Sequence, residues 1–139
     1  MIDWNLFNMY LSGFDISVIS ELIDMFIKDY PERISELRKS VEEKDFHQID
    51  YIAHDLKTDC ARFGDNESRK LAFNLELMGK KKVNDNSLLR NTDPDSWNQL
   101  EKMAKNKLNN NMNEVFAQFA TASGTLIKEL EQYKKIHSS

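Results

Sequence analysis

Apolar residues recur at steps of three and four along most of the chain, the spacing of one face of an α-helix, and no stretch shows sustained strand alternation. Asp3 can cap a short helix carrying Trp4, Phe7, Met9 and Leu11, which Gly13 would end. Asp15 can cap a second helix, whose Ile16, Ile19, Leu22, Ile23, Phe26 and Ile27 share one stripe. Pro31 lacks a backbone N–H and disfavours helix at the residue before it, so a break or kink is expected near Tyr30. The pattern resumes with Ile34, Leu37 and Val41, while Glu32, Glu36, Arg38 and Lys39 take the wet side.

A third helix is expected from about Asp45 to Phe63, with Gly64 as its left-handed stop. A fourth, from about Asn66 to Met78, would bury Leu71, Leu75 and Met78, and Gly79 followed by Lys80, Lys81 and Lys82 predicts a helix exit with cations at the negative end of the dipole. Residues 84–94 are polar and predict a loop. Asp95 or Ser96 can start an inserted helix through Trp97, Leu100, Met103 and Ala104, ending in the run Asn109, Asn110, Asn111. The last segment carries Met112, Val115, Phe116, Phe119, Ser123, Leu126, Leu130 and Tyr133, enough length to flank every other helix. The pattern predicts an all-α, antiparallel helical bundle with short connections, in one domain spanning residues 1–139.

Composition agrees. The 139 residues are one domain's worth of chain, and 40% apolar with 30% charged residues, only 4 Gly and 2 Pro, excludes a disordered tail, a collagen-like repeat or a turn-dense β-sandwich. With 19 basic against 23 acidic residues the net charge is −4, so no basic field exists to draw in nucleic acid or an anionic membrane. The single cysteine, Cys60, can close no intramolecular disulfide and suits a reducing compartment, so a cytoplasmic location is expected. Neither a cleavable leader nor an uninterrupted run of 18 apolar residues is present, so neither export nor membrane spanning is expected.

The chemistry narrows quickly. Scattered glycines supply neither a P-loop nor a dinucleotide fingerprint, and no Glu-x-x-His pair of the di-iron type exists, because Lys44, Tyr51 and Lys134 stand three before the histidines. On a wheel of about 100° per residue, Phe46, Ile49, Ile52, Ala53, Leu56, Cys60 and Phe63 gather on one side of the third helix. His54 lies roughly 150° from the centre of that stripe and faces water, among Asp50, Lys57, Thr58 and Ala61. His47, Asp50 and His54 share a face, but exposed ligands without a fourth donor make a poor zinc site. Cys60 sits in the core stripe, where a thiol is usually inert. No cofactor is expected on this chain.

The run Ala53-His54-Asp55-Leu56-Lys57, followed by Ala61, Phe63 and Gly64, resembles the signature of histidine-containing phosphotransfer (HPt) domains: a histidine, a lysine three residues on and a glycine ten residues on. Upstream, Phe26-Ile27, Pro31 to Arg38 and Asp45-Phe46 are similar to that family's preceding helices; downstream, Leu71, Leu75-Glu76 and Gly79 are similar to the next. The resemblance covers about residues 15–82 and implies a four-helix bundle, here with an extra short N-terminal helix and an inserted helix before the last. It implies a phosphocarrier without an ATP site or enzymatic activity of its own. His54 would accept a phosphoryl group from a response-regulator receiver or a hybrid histidine kinase and pass it to an aspartate of another receiver. Lys57 would neutralise the phosphoryl oxygens, and Asp50 or Asp55 would orient the second ring nitrogen. Asp50, Asp55, Thr58, Ala61 and Gly64 would meet the partner, which brings the acceptor aspartate and Mg, and the protein would be a monomer.

Thr58 stands where the family commonly has glycine and Asp59 where a small residue is usual, which leaves open a phosphorylation-dead adaptor that binds receivers. His54-Asp55-Leu56-Lys57-Thr58 also resembles the H-box of histidine-kinase dimerisation helices, although Asp59 and Cys60 replace the proline and leucine usual there. That alternative implies a dimerising phosphoacceptor hairpin.

Overall fold

The computed structural model describes residues 1–88 and 112–137. Among these, five helices and no strand occur: α1 (Trp4–Leu11), α2 (Ile16–Glu43), α3 (Phe46–Arg62), α4 (Asn66–Leu88) and α5 (Met112–His137). The all-α reading therefore holds. The helix expected between Asp95 and Asn111 lies outside the described residues.

Side-chain pairs set the directions. Arg33 with Asp55 and Phe26 with Phe63 run α2 against α3, and His54 with Glu76 and Asp50 with Gly79 run α3 against α4. Tyr30 with Ser123 and Asp24 with Lys134 run α2 against α5. Neighbours are thus antiparallel, as the short α2–α3 and α3–α4 connections require. The buried face of every helix feeds one cluster that includes Phe7, Ile23, Leu37, Ile49, Leu56, Phe63, Leu75, Phe119, Leu126 and Leu130. The stripe predicted for α3 is that core face: Ile49, Ile52, Ala53, Leu56, Cys60 and Phe63 are buried and Phe46 is half-buried.

Boundaries follow local chemistry in most places. Asp3 caps α1 by accepting from the N–H groups of Asn5 and Leu6, and Asp45 caps α3 by accepting from Gln48 N–H. Asp15 stands at the N-cap of α2 but makes no side-chain cap bond. The α3–α4 turn needs Gly64, whose φ is +76° and where a Cβ would come 2.7 Å from Phe7 N and 2.9 Å from Asp3 O. Asp3 N–H donates to Gly64 O at 2.9 Å, so the N-terminal segment is laid over this turn. Buried Asp65 then caps α4, accepting from Ser68 N–H and Ser68 Oγ.

Three expectations are corrected. Pro31 lies inside α2 and does not end it. Its ring is on the exposed side, while Phe26, Tyr30 and Leu37 on either side are packed inward, so tertiary contact carries the helix past one missing N–H. Gly79 is likewise no exit, because α4 continues to Leu88. A Cβ there would meet Phe46 O at 2.9 Å and Asp50 N at 3.0 Å. The residue is glycine because α3 and α4 pack backbone against backbone at that level. Residues 84–88, expected as loop, belong to the same helix.

Gly79→Ala separates these two explanations. A close-packed glycine predicts a loss of about 1–3 kcal/mol in urea unfolding despite alanine's better helix propensity, since backbone atoms must give way. A neutral or stabilising outcome would mean that the two helices are not in such contact.

Candidate functional site

The site is built where α3 and α4 run closest. Ala53 and Leu56 are held in the core, which fixes the rotation of α3 and turns His54 outward, its side chain 55% exposed. One turn on, Lys57 lies along the α3–α4 seam. Across it, Ala72, Leu75 and Gly79 seat α4 against α3 and carry Glu76 into the same seam, where its side chain is only 2% exposed.

Glu76 organises everything around it. Its Oε1 lies 3.0 Å from His54 Nδ1 and 3.0 Å from Lys80 Nζ, and its Oε2 lies 2.7 Å from Lys57 Nζ. The Lys57 contact is a charge pair rather than an aligned hydrogen bond. Burial pushes the Glu76 carboxyl up, but the contacts from Lys57, His54 and Lys80 outweigh it and hold the pKa at about 2. An ionised carboxylate only accepts, so His54 Nδ1 must be the donor. The neutral ring then has its lone pair on Nε2, at the exposed side. Lys57 Nζ also lies 5.0 Å from the centre of the Phe73 ring.

Of the residues the sequence singled out, the structure brings His54, Lys57, Asp50, Thr58 and Ala61 onto one side of α3, with Asp50, Lys57 and Ala61 half-buried. Thr58 Oγ1 donates to the His54 carbonyl at 3.1 Å, so its hydroxyl turns back onto the helix. Neither aspartate expected to orient the ring does so. Asp55 points to α2, where Arg33 Nη1 holds it at 2.6 Å, and Asp50 flanks Gly79. Lys57 does not stand free beside the ring but is drawn to Glu76. Gly64 is buried under the segment Asp3–Phe7 and cannot contribute a surface for a partner. Asp59 is half-buried, and burial raises its pKa against the lowering effect of Arg62 at 3.9 Å. Burial also pushes the Cys60 thiol well up, in keeping with an inert core cysteine. Among the described residues, no group of three His, Cys, Asp or Glu side chains is placed to hold a metal ion.

Glu76 and Lys80 were missed as site residues. A signal existed: Glu76 is the acid in the otherwise small or apolar row Ala72, Leu75, Gly79.

A protein-family model described as the Hpt domain matches residues 21–132. The chain belongs to the Hpt domain family. No curated protein and no solved structure gives a significant match. Hpt domains are phosphocarrier modules of two-component signalling that interact with receiver domains, and the match spans α2 to α5, leaving α1 outside. No helix among the described residues is long and apolar enough to cross a membrane.

The low pKa of Glu76 has a consequence for stability. Its folded value of about 2 lies below the ordinary 4.5, so its contribution is fully present above about pH 4.5 and disappears as pH falls through about 2. Urea unfolding of the wild type is expected to weaken across that window, whereas Glu76→Gln should already be destabilised at pH 7, by about 1–3 kcal/mol, and approach the wild type near pH 2. Parallel pH profiles for the two proteins would contradict the charge network.

Proposed function

We propose that this Hpt domain is a phosphorelay intermediate that accepts a phosphoryl group on Nε2 of His54 and returns it to an aspartate of another receiver. The observation that carries the reading is the Glu76 carboxylate 3.0 Å from Nδ1 of a histidine whose other ring edge is in solvent. Nε2 attacks the phosphorus of an aspartyl phosphate, the bond from phosphorus to the carboxyl oxygen breaks, and the aspartate leaves as carboxylate. The ring gains positive charge as the N–P bond forms. The Nδ1 proton stays in place against Glu76, which stabilises that charge as a buried acid stabilises an imidazolium. The reverse step runs through the same groups, so the domain needs no ATP site.

Lys57 enters as a movable cation. With no phosphate present it rests on Glu76. A phosphoryl group on Nε2 competes for that ammonium, while Lys80 remains to balance the carboxylate. Mg and the acceptor aspartate belong to the receiver. The apolar stripe of α3 is consumed by packing within the chain, which favours a self-contained carrier, monomeric in solution, over a hairpin that must dimerise through that stripe. The exposed ring likewise favours a carrier over an adaptor that only binds.

Incubation with a phosphorylated receiver should give an acid-labile, base-stable phosphate that is absent from His54→Gln. That variant should stay folded and lose no more than about 1–3 kcal/mol, because the ring is largely exposed and the loss is confined to its one hydrogen bond to buried Glu76. Unchanged labelling of His54→Gln would overturn the assignment.

A further inference from the structure

The two flanks of His54 differ in kind. On the α2 side, Asp29, Glu32 and Glu36 recur along one exposed face of the helix and, with Gln48 and Tyr51, line a shallow groove of about 330 Å³. Arg33 also borders it, but its charge is matched by Asp55 at 2.6 Å, so the three acids on α2 have no cation of their own in the groove. Tyr51, one turn before His54, is 64% exposed and stands between this groove and the ring. On the α4 side, Glu76 is buried and matched by Lys57 and Lys80, and Phe73 at 39% and Leu77 at 45% exposure reach the surface beside the half-exposed Lys80. The core requires neither Phe73 nor Leu77 on the outside. One rim of the histidine is therefore acidic, and the other carries two exposed apolar side chains beside a lysine, with an exposed tyrosine between.

We infer that this asymmetry is an orienting dock: the receiver seats a basic row over Asp29, Glu32 and Glu36 and an apolar patch over Phe73 and Leu77, so that its aspartate meets Nε2 in one orientation only. The inference rests on the relay reading above and adds the chemistry of the partner's surface. Complementary charge speeds the encounter and rejects reversed approaches, whereas desolvated apolar contact governs how long the complex lasts. The split places those two tasks on opposite sides of the reacting nitrogen. A modest interface of this kind suits a carrier that must release its partner after each transfer.

The test uses the full chain and, as donor, an isolated receiver phosphorylated with acetyl phosphate, chosen as the fastest donor to the wild type among the receivers of the same genome. Wild-type KM for transfer should rise with salt, because exposed charges are screened beyond about 8 Å at physiological ionic strength. Glu32→Lys combined with Glu36→Lys should raise KM at least about fivefold at low salt, leave kcat at saturating receiver nearly unchanged, and lose most of that difference at high salt. Leu77→Asp should raise KM at every salt concentration. A salt-independent wild-type KM, which involves no variant and no question of folding, would overturn the dock. So would wild-type KM values in both variants, or a charge-variant defect that persists undiminished at high salt. Phosphoramidate, a donor too small to need docking, tests the relay reading separately. If it labels wild type but not His54→Gln while no receiver transfers, the dock fails and the histidine chemistry stands; if it leaves His54 unlabelled, the relay reading itself fails.

Discussion

The buried Glu76 carboxylate, with His54, Lys57 and Lys80 around it, is the interaction on which the site depends. A carboxylate this poorly hydrated is costly unless charge and hydrogen bonds are supplied, and here an imidazole N–H and two ammonium groups supply them. The arrangement has three consequences at once. It fixes which ring nitrogen carries the proton, it ties α3 to α4 across the seam, and it stores a lysine within reach of the histidine. None of these needs a residue outside the two helices. The site is accordingly as rigid as their packing, and that packing depends on Gly79, where nothing larger than hydrogen fits between α4 and the backbone of Phe46 and Asp50.

The bundle solves a presentation problem. A phosphocarrier must expose a nucleophilic nitrogen without letting the ring wander, and an exposed helix residue alone gives only the first. Burial of Ala53 and Leu56 sets the direction of the His54 side chain, and Glu76 sets the rotation and tautomer of the ring. Among the described residues, the outer edge of the ring is left exposed. Thr58, bulkier than the glycine common at that place in Hpt domains, ties its hydroxyl to the His54 carbonyl. Asp59 turns partly inward towards Arg62.

Much of this was legible in the amino-acid order. The period of three and four placed the core stripe of α3 correctly and, by difference, placed His54 in water. Gly64 was recognisable as the turn because a left-handed residue there has a local sequence signature. The errors were of another kind. Pro31 and Gly79 read locally as interruptions, and both lie inside helices because contacts with other helices override local preference. The role expected of Asp50 or Asp55 fell instead to Glu76, twenty-two residues from His54 in the chain. A wheel drawn for one helix shows only that helix's own neighbours. It cannot show which residue of a second helix closes the seam, nor that Arg33 of α2 would capture Asp55.

The most direct test of this arrangement is the protonation site of the His54 ring, read from nitrogen-15 chemical shifts and two-bond couplings in histidine-labelled protein at a pH where the ring is neutral. The account predicts that Nδ1 carries the proton and Nε2 the lone pair, and that Glu76→Leu lets the ring relax towards the mixture seen for a free imidazole. A neutral ring protonated on Nε2 in the wild type would contradict it.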